Sequence, residues 1–181
     1  MHKFTAPPVL ETDRLRLRGH RADDFDESAA MWADLEVVRY ITGEPSTESA
    51  SWYRLLRYVG HWPVVGYGYW VVEAKDDGRF VGEVGFADYK RDIQPSLEGM
   101  PEAGWGLKGA EHGKGYASEA VQRIVAWADT ALCCERTACI LDPEHAASIR
   151  VAEKAGYETL TLAELNGQPT LIMARTRPAT S

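Results

Sequence analysis

The stretch GWGLKGAEHGKGYASEAV, residues 104–121, places five glycines and two lysines directly before a helical pattern. The chain as a whole is acidic, since 20 Lys and Arg stand against 27 Asp and Glu for a net charge of −7. Backbone N–H groups at the start of a helix lack intrahelical partners, and the helix dipole adds positive potential there. The pattern therefore favours an anion, above all a phosphate, as the ligand of residues 113–117, although an ordinary glycine-rich loop is an equal alternative on these residues alone.

The sequence of residues 104–121 partly matches two nucleotide-binding motifs but satisfies the requirements of neither. Residues 104–109 satisfy G-x-G-x-x-G, but the helix begins several residues later, and Asp129 lies inside that helix instead of ending a following strand. A P-loop requires one more residue between Gly109 and Gly113, and Gly115 stands where Ser or Thr would bind magnesium. A Rossmann-type dehydrogenase and a P-loop protein are therefore both disfavoured.

The flanking sequence predicts alternating strands and helices. RLRLR at 14–18 alternates with period two, which places Leu15 and Leu17 on one face of a strand. Asp-Gly at 77–78 and Asn-Gly at 166–167 each lie between two alternating runs, as in β-hairpins. The element order β, α, α, β, β, β, α, β, α, β, β predicts an α/β (mixed α+β) chain, with a mixed, largely antiparallel sheet of about seven strands and about four helices against its faces.

Apolar positions at three- and four-residue steps identify the helices. The first lies in 21–35 and has the apolar stripe Ala22, Phe25, Ala29, Trp32 and Ala33. The second lies in 46–59 and has Ser46 or Thr47 as its N-cap. The helix after the glycines has the stripe Ala117, Ala120, Val121, Ile124, Ala128 and Leu132, and the last helix is stopped by Gly156.

Length and composition limit the classes of protein. At 181 residues and 45% hydrophobic content, the chain fits one domain, 1–181, with an ordered core of about 10–175 and a loose end at 175–181. The acidic charge disfavours a nucleic-acid partner. No apolar run suits a signal peptide or a membrane span, so we expect a soluble, cytoplasmic protein with no membrane partner. Cys133, Cys134 and Cys139 lack disulfide or zinc spacing, so we expect small buried residues there and no metal site.

Three segments, HGKGYASEAV at 112–121, DPEHAASIRVAEKAGY at 142–157 and ETDRLRLR at 11–18, resemble the GNAT superfamily of acetyl-CoA-dependent N-acetyltransferases, in particular its RimJ/RimL ribosomal-protein branch. The resemblance spans nearly the whole chain and agrees with the predicted element order. It implies the GNAT fold, with a sheet splayed at its central strands, and acetyl-CoA (coenzyme A) as the cofactor. The implied reaction is acetyl transfer to a primary amine, a protein N-terminal α-amine or a small amine, by direct attack in a ternary complex.

The resemblance also implies where the cofactor binds. The family's pyrophosphate-binding pattern places its two glycine-type positions on Gly115 and Ala117, and His112 stands where Arg or Gln is usual. In the second motif His145 replaces the usual Asn, and Ser148 occupies the serine position. The implied cofactor contacts, including a strand that pairs with the pantetheine arm, are Trp105, Gly106, Leu107, His112, Gly113, Lys114, Gly115, Tyr116, Ala117, Ser118, His145 and Ser148.

Acyl transfer to an amine needs a neutral amine and a proton for the leaving thiolate. An α-amine with a pKa of about 7.7–8.0 is already partly neutral at pH 7, so a carboxylate acting directly or through water suffices as the base. Glu102, at the start of the strand leading into the glycines, is the first candidate and Glu83, on a neighbouring strand, the second, although both positions also suit structural glutamates. The resemblance makes Ser148 the proton donor to sulfur, whereas a serine at a helix start most often caps it.

The acceptor is not readable from the sequence. The aromatic segment WYRLLRYVGHWPVVGYGYW at 52–70 lies where this family has its acceptor-facing helix and loop, and its rings either line a groove or fill the core. Whether the chain forms a homodimer is equally open. The rival function is a non-catalytic coenzyme A binding or sensing module on the same fold, which His112 and His145 at unusual motif positions keep open.

Overall fold

The structure, a computed structural model, describes residues 4–179. Within that range it has eight β-strands, namely β1 (Leu10–Glu11), β2 (Leu15–Arg18), β3 (Tyr69–Ala74), β4 (Phe80–Ala87), β5 (Glu102–Leu107), β6 (Arg136–Leu141), β7 (Glu158–Leu165) and β8 (Gln168–Thr176). The same range has five α-helices, namely α1 (Phe25–Trp32), α2 (Leu35–Val38), α3 (Glu48–Val65), α4 (Tyr116–Ala131) and α5 (Ala146–Lys154). Short 3-10 turns lie at Ala22–Asp24 and Gly109–Glu111.

The strands form one sheet in the order β1-β2-β3-β4-β5-β6-β8-β7. Neighbours pair antiparallel except β5 and β6, which run parallel and share one register pair, Glu102 with Ala138. Beyond that pair β5 and β6 diverge, since no further pairing joins them among residues 4–179. The predicted mixed, largely antiparallel sheet with splayed central strands is therefore confirmed. The additional strand is the two-residue β1 at the sheet edge.

The two faces of the sheet differ in polarity. α4 packs one apolar face on the sheet, and its buried residues include Ala120, Val121, Ile124 and Ala128, as its stripe predicts. Leu15 and Leu17 belong to the same core cluster, which confirms the face predicted for β2. The opposite face, under α1 and α3, is less uniformly apolar because it encloses the carboxylate of Glu83.

The first predicted helix is divided in the structure. Residues 21–35 comprise a 3-10 turn, α1 and the first residue of α2, which accounts for five helices in place of four. The predicted stripe was wrong at Ala22 and Ala33, which are exposed, while Ser28 and Trp32 are buried. Ser28 and Trp32 face the sheet because both donate hydrogen bonds to Glu83 beneath them.

α3 begins after the N-cap Thr47, one of the two predicted caps, whose side chain accepts a hydrogen bond from a backbone N–H of the first turn. The helix continues to Val65, past the predicted end at 59 and through Pro63. It does so because Trp62 is buried in the core, so packing carries the helix beyond the local stop signals. Gly66, in the left-handed conformation with φ 89°, ends it.

Both predicted hairpin turns are present. Asn166 and Gly167 have φ 53° and 78° between β7 and β8, and Gly78 has φ 75° between β3 and β4. At the carboxyl end β8 extends through Thr176, while the loose end predicted at 175–181 lies partly outside the described residues. Across residues 4–179, none of the helices is long and apolar enough to cross a membrane.

The three cysteines are free thiols, and their exposure differs. Cys139 is buried in β6, and burial raises its pKa. Cys134 is half-buried and Cys133 is exposed. The prediction that all three are buried was therefore wrong for Cys133, because this residue lies in the connection between α4 and β6.

Candidate active site

The glycine loop, residues 108–115, joins β5 to α4. Lys108 donates its backbone N–H to Val81, a 3-10 turn follows, and Gly113 and Gly115 then adopt φ 74° and 82°. Side chains rarely tolerate this left-handed conformation, which explains glycine at both positions. A Cβ atom on Gly113 would meet no atom within 4 Å, so this position is open as well as left-handed.

The backbone N–H groups of residues 113–118 have no hydrogen-bond partner among residues 4–179. The N-cap of α4 is Gly115, which has no side chain to accept from them. Glu119, in the first turn, is already engaged by Thr12 Oγ1 at 2.6 Å and by Arg14 Nε at 2.7 Å. These amides thus remain available at the amino end of a 16-residue helix, where an anion binds best.

Cationic side chains border the glycine loop. Arg14 Nη1 donates to the carbonyl of Lys114 at 2.9 Å, and the guanidinium carbon lies 4.6 Å from the centroid of the Tyr116 ring. Lys114 Nζ lies 3.0 Å from Glu111 Oε2, and Arg79 pairs with the same carboxylate. The donor set of free amides plus cations fits a diphosphate. The sequence interpretation did not select Arg14, although the residue belongs to the ETDRLRLR segment.

The imidazole of His112 points back to the strand. Its Nε2 donates to the carbonyl of Leu107 at 2.9 Å, which assigns the proton to that nitrogen because a carbonyl only accepts. His112 therefore ties the end of β5 to the glycine loop. The replacement of the usual Arg or Gln leaves the backbone donors of the loop unchanged.

A second group of side chains lies at the splay cleft, the opening between residues 103–107 of β5 and 139–141 of β6. Trp105 Nε1 donates to Ser148 Oγ at 3.2 Å, and that oxygen lies 3.4 Å from His145 Nε2. His145 stacks on Tyr40 with ring centroids 4.7 Å apart. The structure thus brings together three predicted site residues and adds Tyr40, which lies between α2 and α3 and carried no distinguishing sequence signal.

Glu102 lies at the foot of the splay cleft, at the start of β5. Its carboxylate accepts from Arg91 Nε at 2.6 Å and from Arg91 Nη2 at 2.8 Å. Glu102 is 7% exposed and lines a cavity of about 290 Å³ beneath the β4–β5 connection. Tyr89 and Glu98 line the same cavity. The sequence did not predict Arg91 as the partner of Glu102.

Glu83 is fully enclosed, with 0% exposure. Ser28 Oγ, Trp32 Nε1 and His20 Nε2 donate to its carboxylate at 2.8, 2.7 and 3.1 Å. Burial alone would raise the pKa of Glu83, but the hydrogen bonds and the charge interaction with His20 outweigh it and hold the pKa below its ordinary value. The carboxylate is therefore an ionised acceptor inside the molecule.

The two candidate glutamates occupy different parts of the same sheet face. Glu83 pairs with Gly106, and Glu102 pairs with Ala87, so they lie four positions apart along the β4–β5 ladder. At about 3.3 Å per residue that separation is about 13 Å. The two carboxylates do not form a pair.

The aromatic segment 52–70 is divided between core and surface. Tyr58, Trp62 and Trp70 are buried, whereas Trp52 and Tyr53 are exposed on the outer side of α3. Most of these rings are therefore packing residues, and the segment by itself does not define an acceptor groove.

Comparisons with known proteins agree with this arrangement. A family model described as an acetyltransferase (GNAT) domain matches residues 14–158. YkkB, an uncharacterized protein of Bacillus subtilis, is 30% identical over 159 residues, which cover 84% of this chain and 87% of YkkB. An uncharacterized N-acetyltransferase of Bacillus licheniformis, p20, is 27% identical over 83% of this chain and 82% of its own length.

A solved structure from Bordetella pertussis, described as a GNAT-family acetyltransferase, has a TM-score of 0.83 and 28% identity. It covers 94% of this chain, and the match spans 100% of that protein. The family match, the splayed sheet and the free amides at the start of α4 lead to the same conclusion: the chain belongs to the GNAT family, in its RimJ/RimL-like branch, and is an N-acetyltransferase that uses acetyl-CoA.

Proposed function

We propose that the protein acetylates a primary amine by direct attack of that amine on acetyl-CoA within a ternary complex. The observation that carries the proposal is the set of unpartnered amides at residues 113–118, next to a strand whose β6 side is open. Acetyl-CoA supplies the acetyl group as a thioester. The acceptor is either a protein N-terminal α-amine or a small amine.

The cofactor would be held by backbone donors more than by side chains. The amides of Gly113, Lys114, Gly115, Tyr116, Ala117 and Ser118 would bind the pyrophosphate, supported by the Lys114 ammonium and by Arg14, which already contacts this loop. Trp105, Gly106 and Leu107 would pair with the pantetheine arm, because within residues 4–179 β5 beyond Glu102 has backbone pairing only on its β4 side. His112 would act indirectly, by fixing the loop to Leu107.

Glu102 is the proposed base. It lines a cavity, whereas Glu83 is enclosed by Ser28, Trp32 and His20 and has no opening to an acceptor. An α-amine loses its proton readily near neutral pH, so it requires only a weak base. Arg91 fixes the position of the Glu102 carboxylate by donating two hydrogen bonds to it.

Ser148 is the proposed proton donor to the departing sulfur. Its oxygen accepts a hydrogen bond from Trp105 Nε1, and an indole N–H donates only. The hydroxyl hydrogen of Ser148 is therefore not used by Trp105. Ser148 is 8% exposed, so its hydroxyl is shielded from most of the bulk water that would compete for it.

Acceptor-dependent release of thiol from acetyl-CoA, with products identified by mass spectrometry, tests the proposal on peptides with free amino ends and on small amines. We expect turnover with at least one acceptor and a loss of kcat of about a hundredfold in Glu102→Gln. Glu98→Gln is the matched control, since Glu98 lines the same cavity without pairing to Arg91, and it should change kcat by less than about twofold.

Two results would contradict this assignment. Binding of coenzyme A without turnover on any acceptor would make the protein a binding or sensing module. Full activity in Glu102→Gln, together with loss of kcat in a folded Glu83→Gln variant, would show that Glu83 is the base instead of Glu102.

A further inference from the structure

Ser148 and its neighbours form a continuous line of contacts across the splay cleft. Trp105 projects from β5, Ser148 lies in the first turn of α5, His145 is the N-cap residue of α5, and Tyr40 follows α2. The line runs from Trp105 Nε1 to Ser148 Oγ at 3.2 Å, then to His145 Nε2 at 3.4 Å, and ends in the Tyr40 ring. The interplanar angle of the Tyr40–His145 stack is 20°, so the imidazole plane is set by the tyrosine.

The hydrogen-bond capacity of Ser148 leaves two arrangements. A hydroxyl has one hydrogen and two lone pairs, and Trp105 uses one lone pair. If His145 Nε2 carries a hydrogen, it fills the second lone pair and the Ser148 hydrogen is free for another acceptor. If Nε2 lacks a hydrogen, it takes the Ser148 hydrogen, and none remains for the sulfur.

The surroundings of His145 favour a neutral imidazole. Partial burial lowers its pKa; nearby Asp142 acts in the opposite direction, while His112 and Arg39 reinforce the lowering. The N-cap position adds the positive end of the α5 dipole, which also disfavours a charged imidazole. A neutral imidazole carries a single hydrogen, so its position on Nε2 or Nδ1 decides between the two arrangements.

We propose that His145 is a positioning residue that donates Nε2–H to Ser148 Oγ, so that this N–H and the indole N–H of Trp105 together hold the oxygen and direct its hydroxyl hydrogen to the coenzyme A sulfur. The inference rests on the proposed function of Ser148. The proton balance closes with both amine protons assigned: the protonated amine first gives one proton to Glu102, and the neutral amine then attacks. As the carbon–nitrogen bond forms and the carbon–sulfur bond breaks, sulfur takes the hydroxyl proton and the second proton released by nitrogen restores the hydroxyl. Two N–H donors stabilise the negative charge that develops on Oγ meanwhile.

Nitrogen-15 NMR of the imidazole in the ligand-free protein tests the donation without any turnover. We expect His145 to be neutral at pH 7.5 with its hydrogen on Nε2. We also expect Ser148→Ala to shift the resonances of both this N–H and the Trp105 indole N–H, because both would lose one acceptor. A neutral imidazole with its hydrogen on Nδ1 would overturn the proposal.

A double-mutant cycle on kcat tests whether His145 acts through Ser148. His145→Leu should lower kcat by about tenfold with little change in the KM for acetyl-CoA, and His145→Gln, whose amide can donate from a similar position, should recover most of that loss. In Ser148→Ala the further change His145→Leu should have no effect, because the residues act as one unit. Effects that multiply in the double variant would overturn the proposal.

Measurements of kcat in these variants distinguish an error in the proposed role of Ser148 from an error in the role of His145 alone. If Ser148→Ala leaves kcat unchanged, the proposed role of Ser148 and that of His145 are both wrong. If Ser148→Ala lowers kcat but His145→Leu does not, only the role of His145 is wrong. Should His145→Leu not fold, Tyr40→Ala compared with Tyr40→Phe provides the same test, because Phe keeps the stack on His145 and Ala removes it. A decrease of kcat in Tyr40→Ala alone is expected, and equal kcat in both would overturn the proposal.

Discussion

Asp24 shows how buried charge is balanced in this protein. Its carboxylate accepts from Arg18 Nη1 at 2.8 Å, from Arg18 Nη2 at 2.7 Å and from the backbone N–H of Arg21. Burial by itself would raise the pKa of Asp24, but these hydrogen bonds outweigh it and lower the pKa. A carboxyl group whose pKa is lower in the folded than in the unfolded state stabilises the fold above its unfolded pKa, and it loses this contribution as the pH falls through its folded pKa.

Asp24→Asn should therefore destabilise the protein by about 3 kcal/mol at pH 7, and the difference from the parent protein should shrink below about pH 4. Urea unfolding at pH 7 and at about pH 3.5 measures both values. Asp23→Asn is the control, since the neighbouring Asp23 is exposed and should change stability by less than about 0.5 kcal/mol. An equal deficit for Asp24→Asn at both pH values would contradict the assignment.

Gly104 and Gly85 both leave room for Tyr69, Gly104 for its side chain and Gly85 chiefly for the backbone at residues 68–69. They pair across β4 and β5, and a Cβ atom on Gly104 would come within 2.1 Å of Tyr69 Oη. Tyr69 cannot move away easily, because its ring stacks on Tyr58 with centroids 4.1 Å apart. The glycines thus leave room for a buried side chain beside the splay cleft.

Gly104→Ala should lower the free energy of unfolding by about 2 kcal/mol, since overpacking a filled core forces neighbours to shift. Gly60→Ala is the matched control, because Gly60 lies inside α3 and a Cβ atom there meets nothing within 4 Å. It should leave stability unchanged or raise it by up to about 1 kcal/mol. Chemical denaturation measures the free energy of unfolding of both variants. Equal stability of the two would contradict the role given to Tyr69.

The connection from β5 to α4 combines two conditions, a left-handed backbone and a helix start without a cap. Gly115 meets both, with φ 82° at the N-cap position and no side chain to occupy the amides. Gly167 has nearly the same conformation, φ 78°, but lies in the β7–β8 turn. Substitutions at Gly115 and at Gly167 should therefore cause similar backbone strain, but only the one at Gly115 should affect ligand binding.

Calorimetric titration with coenzyme A should show weaker binding in Gly115→Ala by about tenfold or more, because a strained or displaced loop removes amide donors. Gly167→Ala should carry a similar strain of about 1 kcal/mol and bind coenzyme A as the parent protein does. Equal affinities in both variants would show that the glycine loop does not hold the pyrophosphate.

In the described part of the chain, the sheet is continuous on either side of β5–β6, and a single register pair joins these two strands. A ligand that pairs with β5 would add contacts where the protein has few of its own. Ligand binding to the folded state alone adds about 2.7 kcal/mol of stability at a free concentration of about 100 times Kd. The expected rise in Tm is about 5–10 °C for a chain of this size.

Hydrogen exchange with and without coenzyme A locates that effect. We expect slower exchange at residues 103–107 and 113–118 and no change in the exposed edge strand β7. The Gly115→Ala variant should show a smaller rise in Tm at the same ligand concentration. Protection confined to the cavity beneath the β4–β5 connection would instead place the ligand beside Glu102.

Sequence alone determined the parts of the molecule that depend on local backbone chemistry. The hairpin turns at 77–78 and 166–167, the stop at Gly156 and the stripe of α4 follow from preferences of a few adjacent residues, and the structure has each of them. The glycine loop belongs to the same class, because left-handed glycines and uncapped amides are properties of the segment itself. Two of the errors, in α1 and at the end of α3, arose where burial of a distant partner overrode local preference.

Tertiary structure decided how the candidate site is assembled. Trp105 and Ser148 are 43 residues apart, His20 and Glu83 are 63 apart, and Arg14 reaches Lys114 over 100 residues. Such contacts depend on strand order and on the divergence of β5 and β6, which no local pattern encodes. Sequence therefore indicated which residues have the required chemistry, and tertiary packing decided which of them are in contact. The reason is that a hydrogen bond acts only over about 3 Å, whereas its two partners can lie at any separation along the chain.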